Sequence, residues 1–226
     1  MKTIGIIGAM PSELKDIQEN QENAVIHEIA GYTFMESRHG ANKIVTACCG
    51  IGKVNAAVCT QIMIDRFGVD CIINTGIAGG MNPAVKVLEI VVSTSVLPHD
   101  LDQHFLVDYP PYHGEYEADE TLRTLAGAVC DEMGIVRHAG RIVSGDAFIT
   151  DSAVKTKLIE AYDPYAVDME TAAIGQCAWR NQVPFVSVRC ISDLADDDGA
   201  MSYDEFEALA AKRVAEIVMK MCERES

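Results

Sequence analysis

The chain has 226 residues, 49% of them apolar, 23% charged and 6% aromatic, the ordinary usage of a folded domain long enough to bury its own core. Its 18 Lys and Arg stand against 34 Asp and Glu, a formal charge of −16. A surface that acidic repels phosphate backbones and anionic lipid, which disfavours nucleic acid and membrane as partners, and the composition excludes the disordered, collagen-like and small disulfide-stapled classes.

In chain order the pattern reads as strand at 3–7 and 43–48, helix at 54–67, and strand at 71–74 and 88–93. A long loop-like stretch covers 97–118, with Pro98, Pro110, Pro111, Gly114 and three histidines. Helix follows at 119–133, strand at 140–143, helix at 152–162, a short strand at 166–167, helix at 170–180, strand at 185–191 and helix at 203–224. The strand runs are continuously apolar rather than alternating, which predicts a mostly parallel sheet covered on both faces. The helical stretches keep a 3.6-residue period, as in Phe206, Leu209, Ala210, Val214, Ile217 and Met221 of the last one. Such alternation predicts a doubly wound or related α/β fold, one domain over 1–226, with no linker or repeat. A loop as long as 97–118 inside a compact domain is expected to be functional or to lie at an interface.

The opening MKTIGIIGAM has too short an apolar run for a signal peptide, and no stretch approaches the ~18 residues of a membrane helix. None of the eight cysteines forms a C-x-x-C pair and most sit in apolar runs, so free thiols in a reducing, cytoplasmic setting are expected.

In open α/β sheets ligands bind beyond the carboxyl ends of the strands. The segments there are Gly8–Glu13, 75–80, 144–149, 168–170 and 192–193, rich in glycines and carboxylates and poor in cations. No G-x-x-x-x-G-K-[ST] or arginine cluster is present for a phosphate, no G-x-G-x-x-G for a dinucleotide, no metal-spaced histidine pair and no G-x-S-x-G elbow. What remains is a set of paired carboxylates, the equipment for breaking a glycosidic bond, with no cofactor and no metal implied. Read singly, several of these residues admit blander roles. Glu13 could be a first-turn helix acid, Asp193 a turn cap, and Arg189 a structural ion pair as readily as an orienting group. Phe148 could be core or a stacking surface, Trp179 core or interface, and the acidic run Asp196, Asp197, Asp198 a solvated loop.

Taken together the same segments resemble the 5′-methylthioadenosine/S-adenosylhomocysteine nucleosidases of the nucleoside phosphorylase superfamily. The matching pieces are I-G-I-I-G-A-M-x-x-E at 4–13, G-I-G-K-V at 50–54, I-I-N-T-G-x-A-G-G at 72–80 and V-S-G-D-A-F-I at 143–149. V-D-M-E at 167–170, V-P-F at 183–185 and R-C-I-S-D-L-A-D at 189–196 complete them in order. The resemblance implies a single three-layer α/β domain with a central mixed, mostly parallel sheet flanked by helices. It implies hydrolysis of an adenine nucleoside, with Asp193 protonating the purine and Glu13 activating water. Glu170 and Met169 would meet the ribose, Phe148 and Ile149 the purine, and Gly79 would bring backbone close to substrate. Met10, Ile51 and Tyr203 would line an apolar 5′-alkylthio pocket, with Ser192 and Arg189 supporting the site. It further implies a homodimer in which 97–118 lies at the interface, Phe105 being the candidate residue lent to the partner.

Two positions depart from the family pattern. Ile77 replaces a common serine, which counts against phosphorolysis and leaves water positioning to Glu13 and Arg189. Asp168 replaces a commoner glutamate, a change expected to lie behind the substrate contacts because Glu170 is retained. The alternatives are a phosphorylase or futalosine-type hydrolase of the same superfamily, a non-catalytic nucleoside sensor, and a dinucleotide-dependent oxidoreductase lacking its glycine fingerprint.

Overall fold

The computed structural model describes residues 1–197 and 199–225. Its first half runs β1 (Thr3–Gly8), α1 (Pro11–Glu19), β2 (Val25–Ile29), β3 (Tyr32–His39), β4 (Asn42–Cys48), α2 (Lys53–Phe67), β5 (Cys71–Gly80) and β6 (Ile90–Pro98). It continues with α3 (Gln103–Val107), β7 (Tyr116–Glu117), α4 (Glu120–Glu132), β8 (Arg137–Ser144), α5 (Ser152–Tyr162) and β9 (Ala166–Asp168). The last elements are α6 (Thr171–Arg180), β10 (Phe185–Asp193) and α7 (Gly199–Arg224).

Local chemistry accounts for many of the boundaries. Pro11 opens α1, where a missing N–H costs nothing. Asp119 and Asp151 cap α4 and α5 by accepting backbone N–H groups, and Gly68, at φ 58°, ends α2 in the left-handed conformation.

The sheet is mixed. Strands β4, β1, β5 and β10 form one parallel block and β6, β8 and β9 another. The blocks meet antiparallel where β10 pairs with β6 and where the end of β5 pairs with β9. Helices α1 and α4 pack on α7, and α2 packs on α6; both groups lie on the sheet, giving the three-layer α/β arrangement expected. Every residue of β5 and β10 is buried. On α7, Ala210, Val214, Ile217 and Met221 join the core, whereas Leu209 of the expected stripe is exposed.

Several expectations are corrected. Residues 75–80 and 192–193 are not loops after strands: β5 runs on to Gly80 and β10 to Asp193, because the two strands keep pairing as far as Asp193 and Gly79. The register shifts between Ile191 and Asp193, so Ser192 is the extra residue of a bulge, a device that re-aims the side chain beside it. The stretch 97–118 is not structureless, since β6 extends to Pro98 and α3 and β7 follow. The hairpin of β2 and β3 has no counterpart in the sequence pattern, and α1 is foreshadowed only by the reading of Glu13 as a first-turn helix acid. β2 is mostly exposed edge and α1 spans nine residues, so neither carries a strong periodic signal.

Ile73 is fully buried in the middle of β5, between β1 and β10. Ile73→Ala is expected to lower unfolding free energy by about 2–5 kcal/mol through lost burial and a residual cavity, read as a shift of the urea midpoint.

Candidate active site

The carboxyl ends of β1, β5, β9 and β10, with the segment after β8 and the residues before α2, surround a cavity of about 230 Å³. Met10, Glu13, Ile51, Gly79, Phe148, Met169, Glu170, Ser192, Asp193 and Tyr203 line it, together with Ile77 and Asp168. Ile149 lies instead on an adjoining recess of about 20 Å³ that shares Gly79, Phe148, Met169 and Asp193. Arg189 lines neither; it is 1% exposed and sits behind the wall. Phe105 is exposed on α3, with its ring 6.1 Å from that of Tyr109, and does not line the cavity. Trp179 is partly exposed and stacks on His113. Of the acidic run, Asp198 lies outside the described residues.

Arg189 is the centre of the buried charge. Its Nη2 lies 2.7 Å from Asp168 Oδ2 and 3.9 Å from Glu170 Oε2, and its Nη1 3.7 Å from Glu13 Oε1. It also donates to Asn74 Oδ1 at 2.8 Å and to Thr171 Oγ1 at 2.9 Å. Burial alone would lower its pKa, but Asp168, Glu13 and Glu170 outweigh burial and raise it above the ordinary arginine value. A glycine makes this meeting possible: Gly76 has φ 150°, and a Cβ there would fall 2.2 Å from Glu13 Oε1 and 2.3 Å from Arg189 Nη1.

Each carboxylate is held differently. Glu13 Oε2 accepts from the N–H groups of Ala9 at 2.7 Å and Met10 at 3.0 Å, and Oε1 from that of Ile77 at 2.9 Å. The contact to Met10 is the glutamate half of a capping box at the start of α1. Burial pushes the Glu13 carboxyl above its ordinary value, against Arg189 and these N–H groups. Glu170 Oε1 accepts from Gly52 N–H at 2.8 Å, and burial followed by the neighbouring Asp168 pushes its pKa to about 7. Asp168 accepts from the backbone N–H groups of Glu170 and Thr171 at 3.3 and 3.2 Å and from the hydroxyls of Ser144 and Thr171. It therefore accepts the first N–H of α6 while neutralising Arg189. Asp193 accepts from Ser192 Oγ at 2.8 Å and from Ala195 N–H at 2.8 Å. Burial again dominates and raises its carboxyl. Such an arrangement can both give and take protons in a site screened from water.

The rest of the wall is apolar. The ring of Phe148 is half-exposed and meets Tyr203 edge-on at 5.5 Å, and Tyr203 Oη lies 3.4 Å from Met10 Sδ. Among the described residues no group of three or more His, Cys, Asp or Glu side chains is arranged to hold a metal ion. Asn74, Thr171 and Ser144, the polar groups around Arg189 and Asp168, and Gly76 are site-building residues to which no motif in the sequence assigns a role. Their signal was present as polar residues inside otherwise apolar buried runs, which must find partners.

A family model described as the phosphorylase superfamily matches residues 3–223. A protein of Exiguobacterium sp. named 5′-methylthioadenosine/S-adenosylhomocysteine nucleosidase is 41% identical, over 98% of this chain and 97% of its own length. The crystal structure of the enzyme of that name from Neisseria meningitidis, in complex with methylthio-immucillin-A, is similar with a TM-score of 0.94 and 33% identity. That match covers 99% of this chain and 100% of the other. The futalosine hydrolase of Helicobacter pylori strain 26695 is similar with a TM-score of 0.93 and 31% identity, covering 99% of this chain and 98% of its own.

Removing Arg189 would leave three buried carboxylates without their cation. Arg189→Met is expected to cost about 3–5 kcal/mol of stability at neutral pH. The sign with pH follows from Glu170, whose pKa rises from 4.5 to about 7 on folding. The folded state binds the extra proton, so this group's favourable contribution is complete below 4.5 and is lost as pH climbs to about 7. Loss of Arg189 pushes Glu170 higher still, and urea denaturation should show a larger deficit at about pH 8 than at about pH 5.

Proposed function

The chain belongs to the 5′-methylthioadenosine/S-adenosylhomocysteine nucleosidase family within the phosphorylase superfamily, and we propose that it hydrolyses the N-glycosidic bond of those two nucleosides. Water replaces the purine at the anomeric carbon, giving adenine and the 5-thioribose product, with no cofactor. Asp193 donates its proton to N7 of adenine, so that the bond's electron pair leaves on a neutral base. Glu13 removes a proton from the attacking water, and Glu170 binds the ribose hydroxyls and offsets positive charge as the sugar approaches an oxocarbenium ion. Phe148 stacks on the purine, Ile149 offers backbone groups to its edge, and Met169 packs under the ribose. Met10, Ile51 and Tyr203 take the 5′-alkylthio arm, while Gly79 lets backbone approach the substrate. Ser192 steadies Asp193, and Arg189 orients Glu13 and Glu170 from behind.

The observation that supports this reading best is the difference between two carboxyls on one cavity wall. Burial raises both carboxyls, but Glu13 is fixed by three N–H donors and faces the Arg189 cation, whereas Asp193 is held by a hydroxyl and one backbone N–H, a setting suited to an acid working near neutral pH. Water rather than phosphate is favoured as nucleophile, because the residues lining the cavity include four carboxylates and no cationic side chain. The similarity to futalosine hydrolase makes futalosine the second substrate to test.

We also infer a cytoplasmic homodimer with 97–118 at its interface. The eight cysteines are free, and no described helix is long and apolar enough to cross a membrane. Val54 and Val58 on α2, with Leu101, Phe105, Tyr109 and Tyr112, are exposed, which is the apolar character an interface covers. Sedimentation equilibrium should return twice the chain mass, and a monomer would overturn this assignment.

The decisive assay is adenine release from 5′-methylthioadenosine with and without phosphate. Equal rates are expected; a requirement for phosphate would make the protein a phosphorylase, and turnover of futalosine alone would favour the second reading. Asp193→Asn should lower kcat by about 10²–10⁴-fold, the usual contribution of a general acid, with the fold intact. Because Asp193 acts protonated, kcat of the wild type should fall as pH rises through its raised pKa. Glu13→Gln should suppress turnover while substrate still binds, as equilibrium binding would register.

A further inference from the structure

Beside the cavity, one cation joins three segments that the site depends on. Lys53, the first residue of α2, lays its Nζ against both carboxylate oxygens of Asp100 and 3.3 Å from Asp146 Oδ2. Its backbone N–H donates to Asp146 Oδ1 at 2.9 Å, and the N–H of Asp146 donates to Asp100 Oδ2 at 2.9 Å. Asp146 is thereby fixed through backbone and side chain together, two residues before Phe148. The same turn of α2 presents the Gly52 N–H that holds Glu170.

The floor beneath this segment is equally close-set. Gly145 N–H donates to the Asp168 carbonyl at 3.1 Å, and a Cβ on Gly145 would fall 2.3 Å from His99 Nε2. Burial pulls the His99 pKa below its ordinary value, so Lys53, rather than His99, supplies the positive charge between the two carboxylates. Burial alone would raise Asp100, but the Lys53 ammonium and the Asp146 N–H outweigh it and hold Asp100 below the usual carboxylate range. The ring of Phe148, 49% exposed with its edge contact to Tyr203, is weakly held by packing, so its place depends on the backbone that carries it.

We propose that Lys53, clamped between Asp100 and Asp146, positions the segment 145–149 so that Phe148 presents its ring face to the purine. The proposal rests on the nucleosidase reading above, in which the purine lies on Phe148. Lys53 is a positioning residue: it acts through Asp146 and touches neither the substrate nor the proton-transferring carboxyls. Without its ammonium, Asp100 and Asp146 confront each other as like charges and drive the segment apart.

The test compares Lys53→Met, Lys53→Arg and Asp100→Asn with the wild type, by steady-state kinetics on 5′-methylthioadenosine and by calorimetric binding of adenine alone. In Lys53→Met, KM and the adenine Kd should rise together by about tenfold, or about 1.4 kcal/mol, within the range by which base–aromatic stacking strengthens binding. The kcat should stay within about threefold, since the interaction lost is shared by ground and transition states. Asp100→Asn, which takes away one anchor of the clamp without creating a repulsion, should move both constants the same way by a smaller factor, about two- to threefold, and Lys53→Arg, which keeps the cation, should leave them near the wild-type values. If Lys53→Met fails to fold, Asp100→Asn carries the test. Unchanged KM and adenine Kd in the folded variants, or a fall in kcat with the adenine Kd intact, would overturn the positioning role while leaving the nucleosidase reading in place. A wild type that neither binds nor releases adenine would overturn both.

Discussion

A guanidinium buried to 1% exposure within a strand buried along its whole length cannot stay charged there unless carboxylates surround it, since desolvating such an ion costs several kcal/mol. Arg189 meets that condition with Asp168 at 2.7 Å and with Glu13 and Glu170 a little farther off. The relation runs both ways. Three carboxylates crowded at the end of a sheet would repel one another and take up protons, and Arg189 is what allows the set to carry negative charge beside a cavity. The carboxylate wall of the cavity is therefore built from behind, by a residue that does not reach the cavity.

This arrangement ties the site to the fold at many points. Asn74 on β5, Thr171 at the start of α6 and Asp168 at the end of β9 all bind Arg189 of β10. Asp168 also accepts the N–H of Thr171, the first residue of α6, and that of Glu170 just before it, so one side chain answers a helix terminus and a buried cation. The shorter Asp in V-D-M-E is expected from the sequence to stand behind the substrate contacts. In the structure it reaches the cavity lining as well as Arg189. Gly76 has a comparable double duty, since it continues a fully buried strand and leaves the space where Glu13 and Arg189 meet.

What was legible in the sequence divides along physical lines. The apolar runs of β1, β4, β5 and β10 announce themselves because both faces of those strands are covered, and the amphipathic helices because one face is. The segments that gather the site residues were legible too, since glycines and carboxylates at strand ends are uncommon enough to stand out. A segment's structure is not legible locally where it depends on a neighbour. The end of β5 reads locally as a glycine-rich loop and becomes strand because β10 pairs with it. The β2–β3 hairpin, largely polar and at the sheet edge, carries no periodic signature of its own. Arg189 could be read equally as an ion pair or an orienting group, because its partners lie far off in sequence, and in the folded chain the two descriptions are one.

The placement of Arg189 also explains how acids of one kind, in one cavity, come to differ. It stands against Glu13, Asp168 and Glu170, whereas Asp193 is held on the other side of the bulge at Ser192 by a hydroxyl and a backbone N–H. Burial raises Glu13, Glu170 and Asp193 alike, but the cation opposes that rise for Glu13 and Glu170. Asp193 has a hydroxyl and a backbone N–H against its rise, Glu13 has three N–H groups and the guanidinium, and Glu170 still reaches about 7 because Asp168 beside it repels a second charge. Environments that push like groups apart are what separate an acid from a base within a single site. Here the difference in setting arises from the position of one arginine on β10, four residues before Asp193.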